Sequence, residues 1–155
     1  MAVRKIAKIG NVLSIPIVGG QCATAQVLAK KKILYIVVFS ELRQCGAISI
    51  DVATSGSPIL AGWTMDAKIY HGDWKIIGES TPISWLHLKK SYVVEHAGNI
   101  WVEDFEGKLL HPASKSEVEK LFNRSSYSPA RLERAIRAFH KFEPWDPEFD
   151  DLLIE

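Results

Sequence analysis

The sequence predicts an α+β fold in one domain, 1–155. It divides into a β-rich body at 1–110, a helical segment at 111–142 and an acidic tail at 143–155. Up to about residue 102, short apolar stretches alternate with Gly, Pro, Ser and Asp, which is typical of strands and turns. Beyond residue 110 the apolar period lengthens from two residues to about 3.6. We therefore expect a strongly bent antiparallel sheet or a partly open barrel, with two C-terminal helices.

The first strands are predicted within residues 11–39. Apolar residues alternate along Asn11–Val18, and a pair of glycines supplies the turn after it. A second strand at 22–29 and a third at 33–39 are separated by three lysines, a solvated turn. Because 33–39 is apolar on both faces, we expect a central strand that is covered on each side.

The middle of the body has less regular patterns. Residues 44–59 fit either a strand or a loop, since the alternation at 47–52 is followed by a segment rich in Ser, Gly and Pro. Two hairpins are predicted next. Their tips lie at 71–73 and at 97–99, and Gly98 with Asn99 supplies positive φ at the second.

Helix signals mark the C-terminal third. Ser114 and Glu117 form a capping box that opens one helix, predicted to run to about Phe122. Ser128 and Pro129 open a second helix. Its apolar stripe is predicted to be Leu132, Ile136 and Phe139.

Charge nearly cancels over the chain, at a formal net charge of +1, but it is distributed unevenly. Residues 1–40 hold six basic and no acidic side chains, whereas residues 143–155 hold six acidic side chains and no Lys or Arg. The longest apolar run, at 33–39, has seven residues, and a bilayer span needs about 20. We therefore expect no membrane-spanning segment.

Two cysteines, Cys22 and Cys45, are too few for a disulfide framework. We expect reduced, structural thiols in a cytoplasmic protein. Export through an N-terminal signal segment is the weaker alternative, because Asn11, Ser14 and Pro16 interrupt the apolar stretch that such a segment requires.

Catalytic patterns are weak. The sequence has no phosphate-binding glycine loop and no nucleophile elbow, and its five histidines lack metal-ligand spacing. A cysteine–histidine pair, the polar turn at 71–73 and the acidic residues at 103–106 are the remaining candidates, and each fits a structural role better. We therefore predict no enzyme activity, no cofactor and no metal.

The acidic tail interleaves aromatic side chains with carboxylates, which suits binding to a basic partner. A simpler explanation is that Trp145 and Phe149 dock onto the body while the carboxylates stay in water, and the two explanations are compatible. The candidate partner-binding residues are Glu143, Trp145, Asp146, Glu148, Asp150 and Asp151.

The basic N-terminal segment supports an alternative function, a small barrel that binds nucleic acid. We do not expect nucleic acid as the main partner, because the nearby aromatic residues belong to the most apolar strand. The residues of this alternative are Arg4, Lys5, Lys8, Lys30, Lys31 and Lys32.

Four segments resemble one family. They are KIGNVLSIP at 8–16, GDWKIIG at 72–78, YSPARLERA at 127–135 and WDPEFD at 145–150. Together they are similar to the immunity protein 26 family of bacterial polymorphic toxin systems. The resemblance implies a protein without catalytic residues that binds a cognate toxin, often a nuclease, and neutralises it. Pairing of edge strands with the toxin or with a second copy in a homodimer stays open.

Overall fold

The computed structural model describes residues 6–46, 48–83 and 90–154. Arg4 and Lys5 of the nucleic-acid alternative lie outside these residues. The described part forms the predicted α+β fold, with a bent main sheet, a small second sheet, and helices concentrated after residue 112.

The strands of the main sheet are β1 (Asn11–Val18), β2 (Gln21–Lys30), β3 (Leu34–Phe39), β4 (Arg43–Gln44), β5 (Pro58–Thr64), β6 (Lys75–Glu79) and β10 (Ser126–Tyr127). Its pairs are antiparallel except for β10 with β5, which run parallel. In the described part of the chain these seven strands lie in the order β10-β5-β3-β2-β1-β6, and β4 pairs with β2.

Strand β3 is the predicted central strand, and every residue in it is buried. Leu34, Ile36 and Val38 pack into one hydrophobic cluster, the helix-side core. The alternate residues Tyr35, Val37 and Phe39 pack into a second cluster, the hairpin-side core. Because successive side chains of a strand point to opposite faces, the two cores lie on opposite faces of the same sheet.

The hairpin-side core is covered by the second sheet, in which β7 (Tyr92–His96), β8 (Asn99–Glu103) and β9 (Leu109–Pro112) pair in that order. Tyr92 enters this core, and its hydroxyl shares a 2.8 Å hydrogen bond with that of Tyr35. The predicted hairpin is confirmed, although positive φ occurs at Ala97 and Gly98 rather than at Asn99.

The helix-side core is covered by the predicted second helix. Helix α3 (Lys115–Lys120) has the predicted capping box at Ser114 but ends two residues before Phe122, and α4 (Pro129–Phe139) is capped by Ser128. Leu132 and Ile136 of α4 are buried, whereas Phe139 is 37% exposed. A 3₁₀ helix at Pro147–Leu152 follows.

Two short helices occupy regions where the sequence pattern was indecisive or misleading. Helix α1 (Ile50–Ala53), capped by Ser49, lies in the region 44–59, where neither the strand nor the loop suggested by the sequence describes it. The first predicted hairpin is wrong in its first arm, because Ala67–Tyr70 forms helix α2 and not a strand. One helical turn here buries Ile69 in the helix-side core, and four residues are too few for a period to distinguish a turn of helix from a strand.

The prediction of reduced cysteines is wrong in this structure, because Cys22 and Cys45 form a disulfide. Pairing of β4 with β2 places their Cα atoms 5.2 Å apart although they are 23 residues apart in sequence. That separation lies within the range that a disulfide requires.

Candidate functional site

The acidic tail lies against the helix-side core. Phe149 and Leu152 are buried, each 1% exposed, and Trp145 packs against the same cluster. The rings of Trp145 and Phe149 meet edge-to-face with centroids 5.5 Å apart, and the Trp145 indole N–H donates to Oδ1 of Asp150 at 2.7 Å. The simpler explanation for the aromatic residues, docking onto the body, is therefore what the structure shows.

Arginines of α4 pair with two of the predicted partner-binding carboxylates. Glu143 accepts from Nε of Arg137 at 2.9 Å and from Nε of Arg134 at 3.3 Å. Hydrogen bonds from Arg137 and Arg134 hold the pKa of the Glu143 carboxyl below its ordinary value. Glu148 accepts from Nη2 of Arg131 at 2.8 Å, although its side chain remains 71% exposed.

The aspartates of the tail serve different local roles. Asp146 caps the 3₁₀ helix, because its Oδ1 accepts from the backbone N–H of Glu148 at 2.9 Å. Asp151 accepts from the Tyr127 hydroxyl and, at 2.6 Å, from the Ser125 hydroxyl. Burial and the hydrogen bond to Asp151 raise the pKa of the Tyr127 hydroxyl, which therefore acts as a neutral donor at neutral pH.

An open apolar groove of about 790 Å³ lies where α4 meets the tail. We call it the C-terminal groove. Phe139 and Leu153 are each 37% exposed, and Phe142 is 46% exposed. The residues that line the groove are Ala138, Phe139, Lys141, Phe142, Glu143, Pro144, Trp145 and Leu153.

The C-terminal groove contains two of the six predicted partner-binding residues, Glu143 and Trp145. Asp150 and Asp151 line a different cavity of about 650 Å³, together with Lys90 and Lys120. Sequence reasoning missed the exposed aromatic residues of the groove. It assigned Phe139 to a buried stripe and did not consider Phe142.

The basic segment of the nucleic-acid alternative is divided by the fold. The Lys30 ammonium group donates a hydrogen bond to the carbonyl oxygen of Ala7 at 2.8 Å. Lys31 and Lys32 instead line a cavity with Arg124, a residue that sequence reasoning did not single out. The structure thus brings two of the six predicted residues into one cavity and adds a third cation from far along the chain.

Several of the candidates for catalysis have structural roles. Both cysteines are oxidised in the disulfide. Glu103 is buried and pairs with Nε of Arg124 at 2.6 Å, and Asp104 accepts from the backbone N–H groups of Glu106 and Lys108 at 2.9 Å each. Across the described residues, no group of three or more His, Cys, Asp or Glu side chains is arranged to hold a metal ion.

Of the helices in the described part of the chain, none combines the length and the apolar character that a bilayer span requires. Comparison of the chain with protein-family models, with curated proteins and with solved structures gave no match. Its functional interpretation therefore depends on the geometry described above and on the motifs of its own sequence.

Proposed function

We propose that this protein is a non-catalytic immunity protein that binds a cognate bacterial toxin domain and blocks its active surface. The observation that carries the proposal is the C-terminal groove, in which exposed aromatic side chains lie beside the Glu143 carboxylate. Large aromatic residues surrounded by polar groups are typical of the centres of protein interfaces. The resemblance of 127–135 and 145–150 to the immunity protein 26 family involves the same region of the chain.

The occupant we propose is a basic protein surface, such as the phosphate-binding cleft of a nuclease domain. Residues 128–154 contain six carboxylates and four Lys or Arg side chains, so this region keeps a net negative charge after its internal ion pairs. Glu148 illustrates how a paired carboxylate stays available to a partner, since it is paired with Arg131 and yet remains 71% exposed. Complementary charge accelerates association and excludes acidic competitors.

The proposal places the neutralising complex in the cytoplasm of the toxin-producing cell, where the toxin would otherwise act. It needs neither a cofactor nor a metal, because blocking a surface requires only contact.

The test is co-expression of the full chain with the toxin domain encoded by a neighbouring gene. We expect growth to be restored and the two proteins to co-purify in a fixed ratio. Phe142→Asp should weaken the complex by about 2 kcal/mol or more, because a charge would enter the centre of the apolar contact. Ile100→Asp is the matched control, since Ile100 is 43% exposed on β8, outside the groove.

A second pair of variants tests the role of charge. Asp146→Asn keeps a capping side chain while it removes a charge, and Glu148→Gln removes an exposed one. The double variant should lower the association rate several-fold and flatten its dependence on salt. Failure of the chain to bind any neighbouring toxin domain, or equal affinity of the Phe142→Asp and Ile100→Asp variants, would reject the proposal.

A further inference from the structure

A cavity of about 580 Å³ lies between the β2–β3 turn and the segment that leads into β10, and we call it the cation pocket. Lys31, Lys32 and Ile33 come from the turn, Trp63 comes from β5, and residues 124–126 complete the lining. The parallel pairing of Ser126 with Trp63 brings these distant segments together. The volume lies in the usual range for sites that bind small molecules.

The fold holds the cationic groups of this pocket in place. Arg124 donates from Nε to the buried Glu103 carboxylate, and an added Cβ at Gly107 would lie only 3.3 Å from both of its Nη atoms. Lys31 donates from Nζ to the backbone carbonyl of Glu106 at 2.6 Å, and its Nζ lies 5.9 Å from the centre of the Trp63 ring. Arg124 is therefore held by a partner outside the pocket, and Lys31 by the Glu106 carbonyl outside it and by Trp63 in its lining.

The charge of the pocket favours an anion. Among its described lining residues, three are cationic and none is a carboxylate. Glu103 pairs with Arg124, and Asp151 accepts from the hydroxyl of the lining residue Ser125, so the three cations keep a balance of about +1 over these two carboxylates. A phosphate monoester carries a charge of about −1.5 to −2 at neutral pH.

The hydrogen-bond donors also suit a phosphate group. The bond to Glu103 uses only Nε of Arg124, which leaves the Nη groups able to form the two parallel bonds that phosphate accepts. Lys32 has no ion pair in the described part of the chain, and Ser126 adds a hydroxyl group. Ile33 adds apolar surface beside these donors, whereas Trp63, which is 5% exposed, adds little.

We propose that the cation pocket binds a small molecule that carries a phosphate monoester, with a mononucleotide as the representative of this class. Arg124 and Lys32 contact the phosphate, and Lys31 contributes charge from the side of Trp63. The site is separate from the C-terminal groove, because the two cavities share no lining residue.

The test is calorimetric titration of the full chain with adenosine 5′-monophosphate, inorganic phosphate and adenosine. We expect the monophosphate to bind most tightly, inorganic phosphate more weakly and adenosine least. Lys32→Gln should weaken monophosphate binding about tenfold, which corresponds to loss of one charge-assisted hydrogen bond. Lys115→Gln is the matched control, since Lys115 is an exposed lysine at the start of α3, outside the pocket.

Arg124→Lys separates binding from folding. It keeps a cation beside Glu103 but loses the planar fork, so we expect weaker monophosphate binding with little change in the thermal midpoint. No saturable binding up to about 10 mM, or equal affinity of Lys32→Gln and wild type, would overturn the proposal. Preferential binding of a single-stranded oligonucleotide, with a steep dependence on salt, would also overturn it and favour nucleic acid as the ligand.

Discussion

At the scale of single residues, carboxylates in the C-terminal segment stabilise the protein's own fold before they meet any partner. Glu143 joins Arg134 to Arg137, and Asp151 accepts hydrogen bonds from Tyr127 and Ser125. A partner that binds this surface therefore meets side chains whose positions are already set. Such preorganisation reduces the conformational entropy that binding would otherwise cost.

The Glu143 ion pairs predict a specific dependence of stability on pH. Because the pKa of Glu143 is lower in the folded protein than its ordinary value of 4.5, its contribution is present above that value and is lost as pH falls through the folded pKa. We expect the difference in unfolding free energy between wild type and Glu143→Gln to shrink as pH falls below 4.5. Urea unfolding between pH 6 and about pH 3 measures this difference.

Salt provides the control for this prediction. The Glu143 side chain is 25% exposed, so about 1 M salt should reduce the difference between the two proteins at pH 6. A difference that stays constant with pH would show that Glu143 acts through packing and not through its charge.

Single residues also show where sequence reasoning reached its limit. The helical period correctly predicted that Leu132 and Ile136 are buried, but Phe139 lies at the last residue of α4, where the helix stops covering the core. Arg124 was not predictable as a partner of Lys31 and Lys32, because their proximity depends on the two-residue pairing of β10 with β5. No local pattern in the sequence encodes that pairing.

At the scale of elements, the 3₁₀ helix at Pro147–Leu152 is an integral layer of the protein. It inserts Phe149 and Leu152 into the helix-side core. An added Cβ at Gly62 of β5 would lie 2.6 Å from Leu152, so this strand is shaped to receive the helix. The acidic tail is therefore part of the core packing, which agrees with the docking of Phe149 that the sequence suggested.

Phe149→Ala tests this packing. Removal of a buried phenylalanine typically costs about 3–5 kcal/mol, and the 1% exposure of Phe149 puts it in that class. We expect the urea midpoint, followed by tryptophan fluorescence, to fall accordingly. Phe142→Ala is the control, because Phe142 is 46% exposed and its loss should cost about 1 kcal/mol or less. Equal losses of stability for the two variants would contradict the assignment of Phe149 to the helix-side core.

Elements with strong, long signals were predictable, and short ones were not. The two-sided apolar run predicted the central strand β3, and serine caps predicted the starts of α3 and α4. Helix α2 has only four residues, so its pattern fits a strand as well as a helical turn. Tertiary packing of Ile69 decides between the two, and that information is not local.

At the scale of the whole molecule, the disulfide ties β4 to the main sheet through Cys22 and Cys45. Sequence reasoning did not predict it, because the spacing of two cysteines does not reveal which strands pair. The bond is typical of oxidising compartments, whereas the proposed neutralisation takes place in a reducing one. A cytoplasmic function therefore requires that the fold survive reduction of this bond.

Reduction should weaken the protein without unfolding it. Closing a loop between cysteines 23 residues apart in sequence stabilises a fold by about 3 kcal/mol in the chain-entropy description. We expect dithiothreitol to lower the unfolding free energy by about that amount, measured by urea unfolding. The double variant Cys22→Ala/Cys45→Ala should show no response to the reductant. Complete unfolding of the reduced protein would contradict a cytoplasmic function.

The dependence of β5 on residues far along the chain has a consequence for biosynthesis. Leu60 forms a bridge with Leu153, and Gly62 receives Leu152, so part of β5 is covered by residues made about 90 positions later. At about 5–20 residues per second, a ribosome needs roughly 5 to 20 s to make that stretch. Until those residues emerge, part of this apolar face stays uncovered, and we expect chaperones that bind emerging chains to recognise it.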